Sequence, residues 1–350
     1  MATNTCGNCA VCGTSTTKLC SGCSGAPAYE PNGSKNQTFY CTAECQKSHW
    51  DTHKPHCRNL QARKKLLRAA QILQGMTFAI FRNATEMAFD TRSVKPVVKD
   101  GVVKVVLKER HRVEDWPLGS FPETPMDLDG DIIKALMVSG TCMEAHAYLA
   151  SWAKLLLSGI CSTLDEVLIY RFQESKLQII MKESTGKMRP SPNTHLVYRA
   201  RLPGSGETWA VDLTGAQYGY DDAIYSWNGF MGIVEMTPVG QNQSAAVHME
   251  FDDKRELRDT LNKNIPALVK KYGGDKGDII GNMSKLSEAG FNATKQQLVD
   301  DFEGIVQAYM VKYDSPKETR KRCSQKTRVS DFSAKEQQDM RRRLKLGEEF

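Results

Sequence analysis

The chain has 350 residues, with 47 lysines and arginines against 41 aspartates and glutamates, a formal charge of +6. That length allows two or three domains with one sizeable core, and no apolar run reaches the roughly eighteen residues that a membrane span needs. The balance is only mildly basic, and without an amino-terminal hydrophobic segment to direct secretion the expected compartment is cytoplasmic or nuclear.

Residues 1–8 are small and polar, and disorder is expected there. Residues 9–57 then bring four pairs of soft ligands: Cys9 and Cys12, Cys20 and Cys23, Cys41 and Cys45, His53 and Cys57. Eight thiolate or imidazole ligands satisfy two tetrahedral zinc ions and leave no open position, so such sites hold structure and do not catalyse. The first two pairs, with two residues between the sulfurs, suit tight turns. The last two are spaced i, i+4, which puts both ligands on one face of a helical turn. Disulfides compete with this reading, but a reducing compartment favours thiolates on metal. Cys6 stands as an alternative ligand near Cys9, and His49 and His56 as alternatives to His53, which completes an i, i+4 pair. Two Zn²⁺ ions on seven thiolates leave a net charge of about +3.

Tyr40 precedes Cys41, Gln46 follows Cys45, Trp50 stands ahead of His53, and Lys54 follows it. With these residues the stretch resembles the MYND zinc finger. The resemblance implies interleaved pairing, with Cys9, Cys12, Cys41 and Cys45 on one zinc and Cys20, Cys23, His53 and Cys57 on the other. It also implies a groove that takes a short, proline-containing peptide from a partner protein; Tyr29, Gln46 and Trp50 are the residues expected to meet it. The loop over residues 24–39, rich in Gly, Pro, Ser and Asn, is longer than the family usually shows.

A linking helix is expected over residues 58–92. Leu66, Leu67, Ala70 and Leu73 recur at helical spacing, while Arg63, Lys64, Lys65 and Arg68 are expected to stay outside. An α+β domain should follow over residues 93–240. Valines on either side of Asp100-Gly101 read as a β-hairpin with a type I′ turn over residues 94–107, and the Pro/Gly-rich residues 116–125 read as loop. Residues 131–140 read as a helix that Gly140 closes, with Thr141 capping the next. Cys142 then lies in a first helical turn, where the helix dipole favours the thiolate, and Tyr148, Leu149, Trp152, Leu155 and Leu156 face a core. Strands follow at residues 164–172 and 177–181, then a turn over residues 189–194. A hairpin comes next, with His195 at the start of one strand and Asp212 near the end of its neighbour.

The order of Gly140-x-Cys142-x-Glu144, His195 and Trp209-x-x-Asp212-x-Thr214 resembles the papain-like transglutaminase core over roughly residues 131–220. The resemblance implies Cys142 as nucleophile, His195 as base and Asp212 as the group that orients the imidazole. Two features depart from the family: Leu196 and Val197, not an aromatic, follow His195, and no oxyanion donor is assignable beyond the backbone N–H of Cys142. A purely structural reading makes Cys142 a buried small residue, His195 a satisfied strand histidine and Asp212 a turn former.

A last strand is expected over residues 231–239 and a loop over 240–245. A helical region is expected over residues 241–313, with apolar stripes at 255–272 and 294–313 and Asn292 or Thr294 as a cap. Residues 314–350 form a basic tail with clusters at 317–328 and 341–345, whose readings are a nuclear import signal, an RNA contact or the solvated basic run common in tails; without interleaved aromatics that stack bases, a nucleic-acid partner is not the expectation. The expectation is thus an α+β protein: a small two-zinc finger, a mixed helix and antiparallel-sheet domain that is transglutaminase-like, and a helical carboxyl-terminal region. Two functions fit it. One is a finger that recruits a partner peptide to a scaffold; the other is a cysteine-dependent acyl-transfer enzyme of protease or transglutaminase type.

Overall fold

Metal ligands rather than apolar bulk organise the first fifty residues, and one helix carries that order into the rest of the chain. A computed structural model describes residues 6–29, 37–86, 89–91, 94, 96–109, 118–122, 124, 127–169, 171–172, 175–183, 185–190, 194–235 and 252–315. It divides into two units, Met1–Val306 and Gln307–Phe350, and the described part of the second begins with the last turns of the final long helix.

The finger pairs strands β1 (Gly7–Asn8) and β2 (Ser15–Thr16) and adds helix α1 (Ala43–Ser48), where Thr42 accepts from the Cys45 N–H as N-cap. Helix α2 (Trp50–Asn83) is continuous from the finger into the core, with Pro55 near its start. It therefore begins before the expected residue 58 and ends before residue 92. Short strands β3 (Thr85–Glu86) and β4 (Phe89–Asp90) follow it. The apolar face of α2 is buried as the pattern indicates, Leu66, Ala70 and Leu73 included.

Arg63 and Arg68 depart from the expectation, because both are buried. Arg63 is paired at 2.6 and 2.8 Å with Glu207, and Arg68 donates to the Met283 and Leu286 carbonyls and stacks on Phe291 at 4.4 Å. Long guanidinium side chains are buried when carboxylates and carbonyls meet their donors.

Strands β5 (Pro96–Lys99) and β6 (Val102–Glu109) form the expected hairpin, with Asp100 and Gly101 at φ 55° and 76°, the two left-handed residues of a type I′ turn. Part of the expected 116–125 loop is strand β7 (Leu118–Gly119), paired with β3; residues 116 and 117 lie outside the described set. Helices α3 (Gly130–Met137) and α4 (Cys142–Leu157) are separated by Gly140 at φ 71°. Thr141 is the N-cap residue of α4 as expected, but its hydroxyl donates to the Val138 carbonyl and makes no capping bond.

Strands β8 (Thr163–Ile169), β9 (Arg171–Phe172), β10 (Leu177–Lys182), β11 (Met188–Pro190), β12 (His195–Arg201) and β13 (Thr208–Val211) come next. A 3₁₀ turn (Gly215–Tyr218) leads to β14 (Ile224–Ser226), helix α5 (Trp227–Met231) and β15 (Val234–Glu235), which pairs with β9. The strands form two principal sheets. One runs β11-β10-β6-β4 with β5 on β6; the other runs β14-β13-β12-β8 and is antiparallel throughout. The β6–β10 pair is parallel, since the chain between them crosses through α3, α4 and β8 before returning. Helix α4 packs on β12 between α2 and the next helix, α6 (Asp252–Lys263).

The expected single helix over 255–272 is broken at Asn264 into α6 and α7 (Ile265–Tyr272), where Pro266 suits a helix start. Helix α8 (Ile279–Met283) precedes α9 (Glu288–Tyr313), which starts earlier than Asn292 or Thr294; Ser287 accepts from the Gly290 N–H at its start. Residues 236–251, covering most of the expected last strand and the 240–245 loop, lie outside the described set. So do 191–193 of the expected turn and the basic clusters of the tail.

Candidate zinc centres and a buried cysteine-histidine-aspartate cluster

The finger brings its eight ligands together as two quartets. Cys9, Cys12, Cys41 and Cys45 form one, and Cys20, Cys23, His53 and Cys57 the other, with all ligand atoms of a quartet within 4.8 Å of one another. A tetrahedral ion with Zn–S bonds near 2.3 Å sets its sulfurs about 3.8 Å apart. Here Cys41 and Cys45 are 3.6 Å apart, Cys20 and Cys57 3.9 Å, and Cys12 and Cys41 3.3 Å. The residues therefore fit two structural zinc ions. The pairing is interleaved because the two helical pairs each return to a different knuckle.

Surrounding groups complete the second quartet. His53 offers Nε2 at 3.1 Å from the Cys23 sulfur, while its Nδ1 faces the Thr38 hydroxyl at 3.4 Å, which fixes the ring. Gln61 Nε2 donates to the Cys57 sulfur at 3.1 Å, and Gln46 Nε2 to the Cys20 sulfur at 3.7 Å. Gly22, inside the second knuckle, has no room for a side chain: a Cβ there would lie 2.9 Å from the Cys57 sulfur. Of the alternatives open in the sequence, His49 bonds the Tyr40 hydroxyl and Cys6 the Ser15 hydroxyl.

Two of the three residues expected to face a peptide have intramolecular partners. Gln46 is the sulfur donor just described. The Tyr29 ring packs edge-on against Trp209 at 5.2 Å, its hydroxyl accepts from the Thr208 N–H, and the Arg63 guanidinium lies over it. Trp50 remains 38% exposed. The finger is thus seated on the start of β13.

At the far end of β13 lies the second constellation. His195 starts β12, Asp212 follows β13, and the antiparallel register brings them together. The His195 Nε2–H donates to the Asp212 carboxylate at 2.9 Å, and both residues are fully buried. Cys142, 5% exposed at the start of α4, donates weakly to the Thr194 carbonyl at 3.8 Å. Burial works against a charged imidazole, while Asp212 and then Cys142 favour it and draw the pKa of His195 upward.

The cluster contains more than the sequence announces. Asp212 also accepts from the Thr214 N–H, which starts the tight turn carrying Gln217 and Tyr218. Gly215 is required in that turn, since a Cβ would lie 2.5 Å from the Asp212 carboxylate and 2.7 Å from the Tyr220 carbonyl. Tyr218 sets its ring edge against His195 at 5.2 Å and donates to the Thr194 carbonyl. The buried Gln217 touches His195, Thr214 and Gly140. Behind them, His146 is fully buried and stacked on Tyr198 at 4.1 Å, one helical turn after Cys142. His146 does not stand out in the sequence; its i, i+4 spacing from Cys142, on one face of α4, is the signal that could have found it. On that face α4 carries a sulfur and an imidazole into the sheet.

Residues 9–57 match the family model of the MYND finger. No curated protein and no solved structure matches the chain, so the likeness of residues 131–220 to a transglutaminase core has no counterpart among the matches. The amino-terminal domain is therefore a MYND finger with one Cys₄ and one Cys₃His site for structural zinc.

Proposed function

We propose that the protein is a zinc-dependent interaction module, its MYND finger taking a short proline-containing peptide from a partner protein, joined to a transglutaminase-like scaffold. The observation that carries this reading is the pair of complete ligand quartets, which leave no metal position for chemistry and make the finger a rigid surface. Trp50 and Val11 expose apolar area on the finger, and aromatic area of this kind suits proline-containing segments. Seven metal-bound thiolates suit a reducing compartment, cytoplasm or nucleus. Among the described residues no helix is long and apolar enough to cross a membrane.

The test is an array of proline-containing peptides probed with the zinc-loaded chain and with Cys41→Ser. Peptides bound by the first and not the second support the reading. Peptides bound equally by both place recognition outside the finger.

A second reading, cysteine-dependent acyl transfer, is favoured by the His195–Asp212 pair with Cys142 beside it. Cys142 would form the acyl bond while its proton passes to His195 and then to the leaving group. Site-resolved alkylation across pH tests it. Cys161, whose thiol burial pushes up to about 12, is the control. Rapid labelling of Cys142 below the ordinary thiol range of about 8.5, lost in His195→Ala, supports an activated pair. Labelling no faster than Cys161 leaves a structural cysteine.

A further inference from the structure

Hydrogen-bond accounting determines which way the Gln217 amide points. Its Oε1 accepts from the Gly140 N–H at 3.0 Å, and its Nε2 donates to the Thr214 carbonyl at 3.1 Å. Both partners are backbone groups with a single role, so exchanging O and N would set donor against donor and acceptor against acceptor. The second N–H of the amide then points between Thr214 Oγ1 and His195 Nδ1, each at 3.3 Å. A ring nitrogen that faces an N–H is best satisfied carrying a lone pair. Across the ring, Asp212 favours a protonated Nε2.

We propose that Gln217 is a positioning residue for His195: its amide, fixed by Gly140 and Thr214, selects the imidazole with Nε2 protonated and Nδ1 bare. That is the form able to accept the proton of the Cys142 thiol, leaving a thiolate and an imidazolium paired with Asp212. The consequence for catalysis rests on the acyl-transfer reading; the selection of the tautomer does not. Asp212 and Cys142 draw the ring toward the doubly protonated state. An imidazole kept there has no place for another proton, so a base at this position needs a group that opposes them. Tyr218 on the 3₁₀ turn and His146 on α4 are the other titratable groups near the ring, and the Cys142 sulfur bonds it. Gln217 supplies a neutral donor to Nδ1, and it is 4% exposed, so water does not compete for the amide.

The test is ¹⁵N spectroscopy of the full-length, zinc-loaded protein labelled at histidine, with the His195 signals identified by their loss in His195→Gln. Near neutral pH the wild type should show a bare Nδ1 and a proton-bearing Nε2. Gln217→Glu keeps an acceptor for the Gly140 N–H and removes the donor to Nδ1. Its His195 should lose the bare Nδ1 signal at the same pH, with the titration midpoint raised by about one unit or more, the scale of one hydrogen bond. A doubly protonated ring in the wild type, or the same midpoint in both proteins, overturns the proposal. Should Gln217→Glu not fold, the wild-type spectrum alone decides between a bare and a protonated Nδ1. Alkylation of Cys142 in the same samples separates the two readings. A bare Nδ1 beside an inert Cys142 retains the positioning role and removes the chemistry, whereas a protonated Nδ1 beside a reactive Cys142 does the reverse.

Discussion

At the scale of single residues, space and solvation decide more than residue type. Gly22 shows this in the second zinc quartet: a methyl group there would meet both the Cys57 sulfur at 2.9 Å and the Gln61 amide at 2.8 Å. Gln61 can swing away, but a metal-held sulfur cannot. Gly22→Ala is therefore expected to lower zinc content from two ions toward one per chain, read by native mass spectrometry, whereas Gly13→Ala, with open space around it but a positive φ, should keep both. His146 gives a pH dependence. Burial pushes its pKa below the ordinary imidazole value, against the pull of Glu166, and His195, Asp212 and the Tyr198 ring are its other neighbours. The unfolded chain takes up this proton near pH 6.5 and the folded chain only lower. Its contribution to stability is thus complete above about pH 6.5 and is lost as pH falls below it. Its Nδ1 lies 3.5 Å from the Glu166 carboxylate, a long contact, and Nε2 has no hydrogen-bond partner among the described residues, so His146→Phe, an apolar ring of similar volume, should be near neutral or stabilising at pH 7. In denaturant titrations the advantage of His146→Phe over wild type should widen as pH drops below 6.5. A constant difference would mean that His146 does not titrate in this window.

At the scale of elements, what was legible in the sequence is what depends on local pattern. The ligand pairs, the Asp100-Gly101 hairpin and the β12–β13 pair follow from spacing, turn chemistry and alternation, which neighbours in sequence carry by themselves. Arg63 and Arg68 were illegible for the opposite reason: their partners lie 144 residues or more away, at Glu207 and at Met283 and Leu286. A basic residue at helical spacing reads as solvated until its distant partner is known. Gln217 was hidden in the same way, since its partners come from Gly140 and His195. The parallel β6–β10 pair was likewise invisible, because strand letters do not disclose crossover. The Arg63–Glu207 contact carries its own prediction. Both side chains are nearly buried, at 10% and 12% exposure, and joined by two short bonds. Glu207→Gln leaves a buried guanidinium without its counter-charge and should cost about 3 kcal/mol in equilibrium unfolding. The double replacement Arg63→Met with Glu207→Leu should recover much of it; additive losses would show that the pair does not act as a unit.

At the scale of the molecule, the finger and the rest of the Met1–Val306 unit share a helix and a clamp. Helix α2 holds His53 and Cys57 at one end and buries Leu66, Leu73, Met76 and Ile80 in the core at the other. Tyr29 and Arg63 then grip Trp209 and Glu207 at the start of β13, the strand that leads to Asp212. A freely tethered recruiting module needs neither connection. A fragment starting at Gly101 would lack α2 as well as the finger, so zinc removal from the intact chain is the better way to ask what the finger supports. Zinc binding supplies on the order of 10 kcal/mol of the folding free energy of such a finger. Chelation should therefore release Tyr29 from Trp209 and loosen the start of α2. Hydrogen exchange is expected to quicken not only across residues 9–57 but also at Thr208–Val211, with the largest effect near Thr208, whose N–H donates to Tyr29. Glu207→Gln with zinc retained should reproduce the change at Thr208–Val211 while leaving the finger protected. Faster exchange confined to the finger after chelation would mean that the second domain stands without it, and that the clamp only positions a partner-binding surface.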